Sequence, residues 1–402
     1  MNEYSTIERW QEVGETGIIH DQGSLYGRLH HLRDKRGAKG KRYSLVMLLS
    51  VIFLAKLAGK DRPDEIADWA GNHAEELAKL LQLKRSWMPS HSTIRRVFQD
   101  TLSEAEFDRM VQAYHQQEQN EQDEVLAMDG KALRGTRIID QESSDHLLSV
   151  YAVQDQHVLA QEAVDSKENE IVAAPRVLER VPLVGKIVTA DAMHTQRSLS
   201  EQIVAQGGDY LWPVKENQPR LLEDIQRLFA PDKPKPGFGK IQTDFQSAKQ
   251  TNYGHGRLEK RTIQTSTLLN DYLDWPGVGQ VYRLQREFIW LRQGKSYKTS
   301  CEIEFGITSL SREKASPMRV LQSRRKHWLI ETGLHYRRDV TFREDATRMT
   351  SGPSGRILAV VHNVVIGLIK RAGFQNAAKA RRYFEGHLAD AFQLLITTNC
   401  HS

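Results

Sequence analysis

The chain has 402 residues, of which 39% are hydrophobic and 27% charged, and a formal net charge of +5; its pI is ≈ 9.0 and its mean hydropathy −0.55. This composition describes a globular, water-compatible chain long enough for two or three folded units, and it excludes a low-complexity or fibrous protein. Two cysteines, Cys301 and Cys400, exclude a disulfide framework and a cysteine zinc site.

The positive charge is unevenly spread, with basic residues concentrated at Arg33–Arg42, Arg319–Arg338 and Arg356–Arg382. Such clusters suit an anionic polymer as partner, or else solvated helix faces. The N-terminus is too polar for a signal peptide, and the most apolar segment, Leu45–Leu57, is too short to span a bilayer. A cytoplasmic protein without membrane contact is the expectation.

Residues 1–42 read as a loosely helical start followed by a basic linker, HHLRDKRGAKGKR, at 30–42. A helical domain is expected over 43–120. Ser44 suits the N-cap of a helix that is apolar on nearly every face, which places it at the domain's centre. Pro63, Asp64 and Glu65 suit the first turn of the next helix, which runs through Trp69. In PSHSTIRRVFQD (89–100), Ser90 or Ser92 can cap a short helix. Its exposed face would carry Arg95 and Arg96 while Ile94, Val97 and Phe98 pack inward. That is either a DNA-groove helix or one solvated helix of an ordinary bundle. A helix over Glu104–Gln117 and the polar run at 116–124 close the domain.

From Val125 the pattern turns to strands. Val125–Met128 predicts a strand that ends on Asp129 and turns at Gly130. Leu147–Val153 and Val158–Val164 predict a hairpin around residues 155–157. A helix (Asn169–Arg180), a buried strand (Lys186–Ala190), a helix (Thr195–Ala205), a strand (Tyr210–Val214) and a helix (Pro219–Phe229) follow. Three antiparallel strands followed by alternating helices and strands give the order of a ribonuclease H-like α/β fold, with 121–230 as its first part. A Pro- and Lys-rich linker, 231–240, opens a β-rich insertion (231–315). Residues 316–402 complete the mixed sheet's core and add a helical C-terminal region, with one long helical pattern from Pro317 through Arg338.

Asp129 and Asp191 each lie just beyond a short apolar strand, and central strands of a mixed sheet can set them side by side. Two adjacent carboxylates repel unless a cation neutralises them, and hard oxygen ligands favour Mg²⁺ or Mn²⁺. His194 suits a substrate contact or a cap. Glu331 offers a third carboxylate. On a helix its face is shared with Arg324, His327, His335 and Arg338, a set of actual or potential cations suited to a metal held near phosphate. Glu259, in the strand-rich insertion, is the rival. Lys131 and Arg134, beside Asp129, are candidate phosphate contacts.

DGKALRG (129–135), DAMHTQ (191–196), VKENQP (214–219), HGRLEKR (255–261) and HWLIETGLHYRRDV (327–340) resemble, in order, the motifs of DDE transposases of the bacterial insertion-sequence type, in the H-repeat-associated group. The helical segment Tyr43–Tyr114 resembles the domain that precedes the catalytic region there, so the likeness covers most of the chain. It implies Asp129, Asp191 and Glu331 as a catalytic triad holding two Mg²⁺ (or Mn²⁺) ions. It further implies double-stranded DNA, at element ends and target, as substrate, and a homodimer in the DNA complex. The wider Tyr-Arg-Glu-Lys signature falls on Arg324, His327, Glu331 and Arg338, while Thr332 and Tyr336 depart from the family's Asn and Trp. Arg95, Arg96, Lys131, Arg134, His194, Lys215, Asn217, His255, Arg257, Arg324, His327 and Arg338 are then the expected DNA contacts. Two other readings stay open: a DNA-binding regulator without catalysis, and a nuclease without strand transfer.

Overall fold

In chain order, β1 (Gln11–Val13) pairs antiparallel with β2 (Ile19–Asp21). Ser24 caps α1 (Leu25–Leu29) by accepting the Gly27 N–H. The computed structural model describes residues 11–14, 17–38, 41–117, 125–137, 144–165, 168–230, 244–254, 256–292 and 295–398. Residues 118–124 of the polar run, the linker at 231–240 and His255 lie outside the described residues. Ser44 caps α2 (Leu45–Leu57) through the Met47 N–H, and α2 is buried on all sides, Lys56 included. Pro63 opens α3 (Pro63–Asn72), where Glu65 accepts the Arg62 N–H. After α4 (Ala74–Leu80) comes the short α5 (His91–Arg96), continued by a π-helical turn at Val97–Thr101, and then α6 (Glu104–Gln117).

The strand-rich part starts with β3 (Val125–Leu133), β4 (Asp145–Ala152) and β5 (His157–Val164). Asn169 caps α7 (Glu170–Leu178), and β6 (Ile187–Thr189), α8 (Arg197–Ala205), β7 (Asp209–Val214) and α9 (Pro219–Leu228) follow. Four long strands come next: β8 (Gln246–Gly254), β9 (Arg257–Ser266), β10 (Gln280–Arg292) and β11 (Lys295–Thr308). Ser316 caps α10 (Pro317–Lys326). Two π-helical turns, Glu331–His335 and Arg337–Thr341, precede α11 (Ser354–Arg371), α12 (Ala377–Gly386) and α13 (Leu388–Ile396). No helix among the described residues is long and apolar enough to cross a membrane.

The chain divides into two compact units: the first holds 1–122, 130–167 and 331–402, the second 123–129 and 168–330. In the first unit α2 packs against α1, α3, α11, α12 and α13, the central position its all-round apolar sequence predicts. The β4–β5 hairpin carries α11 and α6 on its surface, and Leu133, Leu147 and Ala359 share one buried cluster.

In the second unit the strands run in the order β3-β6-β7-β11-β10-β9-β8. β3, β6 and β7 are parallel; β7, β11, β10, β9 and β8 are antiparallel, neighbour to neighbour. The strands of the expected insertion therefore extend the same sheet through β11, whose Phe305 pairs with Val214. α10 packs across β6, β7, β8 and β9.

Two sequence expectations are corrected. β3 does not end at Asp129 but runs to Leu133, where a 3₁₀ turn, Arg134–Thr136, ends it. The alternation of buried Lys131 and Leu133 with half-buried Gly130 and Ala132 is that of a strand, with a pairing partner in β4 overriding the turn preference of Asp-Gly. The helical pattern from Pro317 to Arg338 is not one α-helix either. α10 ends at Lys326, and the turns that follow are π-helical, a geometry in which i±4 and i±7 spacing no longer defines one face.

Candidate functional site

Val125, Leu126, Ala127 and Met128 are completely buried, so the first half of β3 is a core strand of the second unit. Its parallel register with β6 pairs Val125 with Ile187, Leu126 with Val188 and Ala127 with Thr189. Two residues beyond the last of these pairs stand Asp129, within β3, and Asp191, just past the end of β6. The two carboxylates thus sit at matching levels of neighbouring chain segments, whose backbones are about 5 Å apart. Asp129 is half-buried and Asp191 exposed. Two solvent-reachable carboxylates at the ends of paired strands are hard-oxygen donors of the kind that suits a divalent cation.

Asp191 is the N-cap of a short 3₁₀ turn, Ala192–His194, and its side chain is held from one side by His327. His327 Nε2 lies 3.5 Å from Asp191 Oδ1, and His327 Nδ1 lies 3.4 Å from the Thr189 hydroxyl. That hydroxyl donates to the Leu126 carbonyl across the β3–β6 pair at 3.2 Å. The His327 hydrogen bond holds the Asp191 carboxyl below the usual carboxylate range. It outweighs burial, and the charges of His327, Arg324 and Lys215 add to it. Asp191 is therefore ionised at neutral pH, as a metal ligand must be. The loop carrying it is tied to the end of β7: Asn217 Nδ2 donates to Ala192 O at 2.7 Å, Gln218 Nε2 to Thr195 O at 2.8 Å, and Thr195 Oγ1 to Pro213 O at 2.7 Å.

In the first unit Glu331 is exposed, with His335 Nδ1 3.7 Å from its Oε2. Burial pushes the His335 imidazole below its ordinary pKa despite the Glu331 hydrogen bond. Of the actual or potential cations expected around Glu331, His335 is thus one that burial disfavours as a charge. Lys131 is buried and ion-paired with Asp339. Arg134 keeps its side chain exposed while its backbone N–H donates to Asp345 at 3.1 Å.

The expected DNA contacts divide into two groups. Arg95 and Arg96 are exposed on α5 above buried Ile94, Val97 and Phe98, as the sequence indicates; Ser90 occupies the N-cap position but bonds Ser92 and Thr93 side chains instead. Lys215 is exposed beyond β7, and Arg257 lies 5.0 Å over the Phe288 ring. The other group is occupied internally. Arg324, 6% exposed, makes a two-pronged bond to Glu304 (2.9 and 3.1 Å), and Tyr282 donates to the same carboxylate. Arg338 is 0% exposed and bound through Nε and Nη2 to Glu344. His194, 1% exposed, bonds Glu170 at 3.2 Å, Asn217 is spent on its backbone tie, and His327 on Asp191. These side chains have protein partners where the sequence reading gave them phosphate. Glu259, the rival third carboxylate, is ion-paired with Arg261 at 2.5 Å.

The acidic partners Glu304, Glu344 and Glu170 are what the sequence reading misses. Glu304 left a trace: a carboxylate set in an apolar strand stretch, EIEFGI, needs a cation opposite it. Glu344 left none, because its partners lie on other elements.

Two family models match the chain: DDE_Tnp_1-associated over residues 26–115 and Transposase DDE domain over residues 120–364. The chain is 27% identical over 372 residues to "Putative protein YbfL" of Escherichia coli (strain K12), covering 89% of this chain and 95% of that one. It is 25% identical over 361 residues to "H repeat-associated putative transposase YhhI" of the same organism, covering 86% and 93%. Among solved structures it is similar to a piggyBac transposase synaptic complex with hairpin DNA, at 12% identity and a TM-score of 0.44, covering 92% of this chain and 78% of that one. The match that runs from before Asp129 to beyond Arg338 takes in more than half of the sequence, and by it the protein belongs to the transposase DDE domain family.

Proposed function

We propose that this protein is a DNA transposase that cuts phosphodiester bonds at the ends of its element and joins them to target DNA. In this reading Asp129, Asp191 and Glu331 are the metal-holding carboxylates of a ribonuclease H-like core. The observation that carries it is the register of β3 on β6, which sets Asp129 level with Asp191. Glu331 joins them by its place in the family's motif order, directly after the segment that carries His327 and Arg324.

Asp129, Asp191 and Glu331 would hold two divalent cations, Mg²⁺ or Mn²⁺, whose chemistry when bound would be to acidify a water or 3′-hydroxyl and to offset charge on the leaving oxygen. The chain's own side chains do the positioning. His327 lowers the pKa of Asp191 and orients its carboxylate, and Thr189 ties His327 to the strand pair. Asn217 and Gln218 hold the Asp191 turn against the end of β7, where exposed Lys215 offers its ammonium to a phosphate. Arg134 beside β3 and Arg95 with Arg96 on α5 are further phosphate contacts. Transfer requires two ends to be held together, so a homodimer on DNA is part of this reading.

Asp129→Asn should abolish divalent-metal-dependent nicking of a duplex bearing the element's own terminal sequence, read at nucleotide resolution, while binding to that duplex persists. Undiminished nicking by the variant would remove Asp129 from the site. A wild-type protein that binds but never nicks would point to the regulator instead, and nicking without joining of pre-cut ends to the nuclease.

A further inference from the structure

We propose that the first unit carries a second nucleic-acid site, a groove that binds the phosphate backbone of a DNA strand, formed by the end of α2, the segment that follows Glu331 and the start of α12. This rests on the reading of the protein as a DNA transposase and assigns that substrate an anchoring surface that joins the end of the last motif to Lys60, Arg381 and Arg382, which lie outside every motif.

The groove has a volume of about 600 Å³. Its cations come from three separate pieces of chain: Lys60 beyond α2, Arg337 on the second π-helical turn, and Arg381 with Arg382 on α12; Glu385 is the only acid among its lining residues. Two of these cations are already neutralised. Lys60 Nζ lies 2.6 Å from Glu385, and Arg381 Nη2 lies 2.6 Å from Asp61. Arg337 and Arg382 are left over. Arg382 is exposed, and neither has an ion-pair partner among the described residues. Arg337 is half-buried; its Nη2 reaches the neutral Gln156 amide at 3.5 Å, and its Nη1 is buried without an acceptor. Guanidinium groups are strongly attracted to phosphate oxygens, which they meet in a two-pronged geometry.

The surroundings fit a strand rather than a small anion. Tyr336 and Val340, also lining the groove, are 59% and 56% exposed, and large apolar groups between cations suit the sugar edges between successive phosphates. The local excess of positive charge shows on a neighbour too: burial, with the Arg337 charge adding to it, pushes the Lys370 ammonium down to about 8. Thr332, next to Glu331 in sequence, lines the groove as well. A strand seated in it is therefore led past the segment that bears the proposed third carboxylate.

The test is equilibrium binding of the full-length protein to a fluorescent duplex, by anisotropy, over a salt series in EDTA so that no cleavage intervenes. Wild type, Arg382→Gln, Arg337→Gln/Arg382→Gln and Glu385→Gln are compared. Each lost phosphate contact should lower the slope of log affinity against log salt by about 0.9, so the double variant should lose nearly two units of slope and bind more weakly. Glu385→Gln should bind more tightly, because it releases Lys60 and removes the groove's acid; a folding defect would not give that sign. Unchanged slope and affinity in Arg382→Gln and the double variant overturn the groove while leaving the transposase reading standing. A wild-type protein that binds no duplex at all overturns both.

Discussion

Glu344→Gln should destabilise the protein severely, because it breaks a closed ring of buried charge. Arg338, fully buried, donates to Glu344 through Nε and Nη2 at 2.7–3.1 Å. The other side of Glu344 meets His362 Nδ1 at 2.7 Å, and His362 Nε2 meets Lys56 Nζ at 3.0 Å. Lys56 donates to the Asp61 carbonyl at 2.8 Å, Asp61 holds Arg381, and Arg381 donates to the Thr341 carbonyl. The ring thus starts and ends on the second π-helical turn and encloses Phe342, over which Arg381 sits at 4.6 Å. Burial alone would raise the Glu344 carboxyl, yet Arg338 and His362 hold it far below the carboxylate range.

The amide keeps the shape and one acceptor but removes the charge that compensates Arg338, and an uncompensated buried charge costs about 3–5 kcal/mol. That is a large share of a typical total of about 5–15 kcal/mol. Urea unfolding followed by circular dichroism measures it. Arg338→Met/Glu344→Leu should recover most of the loss, since apolar replacement of both partners removes the orphaned charge along with the pair. A Glu344→Gln protein within about 1 kcal/mol of wild type would refute the ring's role in holding this segment.

Acid should weaken the fold before any carboxylate titrates in its ordinary range. Burial lowers His362 to about 3, with the Lys56 charge adding, and lowers His157 to about 4. Below about 6.5 the unfolded chain takes up protons that the folded one refuses, so stability falls as pH falls, by up to about 1.4 kcal/mol per group per pH unit. Urea midpoints that stay flat between pH 7 and pH 5 would contradict this. His327→Gln should raise the Asp191 pKa, because the hydrogen bond that lowers it is lost; the acid limb of the nicking rate should move to higher pH with duplex binding unchanged, and an unmoved limb would exclude His327 as the residue that positions Asp191. Gly306→Ala should cost about 1–3 kcal/mol by overpacking, since a Cβ there would meet the Tyr282 ring at 2.1–2.3 Å and Tyr282 is completely buried; a variant as stable as wild type in the same urea assay would show that the ring can move aside.

Much of the architecture was legible because it is written in short-range patterns. Ser44, Asn169 and Ser316 cap helices where a polar residue precedes an apolar period, and the β4–β5 hairpin turns close to where residues 155–157 place it. The apolar runs ending near Asp129 and Asp191 marked two buried strands. Where the reading failed, a long-range partner outweighed local preference. Asp129-Gly130 has the composition of a turn, but β3 continues through it. The stretch after Lys326 has an α-helical pattern, but it is wound as π-helical turns.

The sequence by itself determined which segments bury themselves, where helices start and which family the motifs belong to, because capping, periodicity and motif order act over a few residues. Tertiary structure alone decided that Asp129 and Asp191 stand level, since register is a property of two strands together. It also decided which cations face solvent. Arg324 and Arg338 have the same composition-level signature as Arg382, yet Glu304 and Glu344 draw the first two into the interior. Glu304 lies 20 residues before Arg324 and Glu344 six residues after Arg338, and in both cases the fold of the chain between them decides whether the two charges meet.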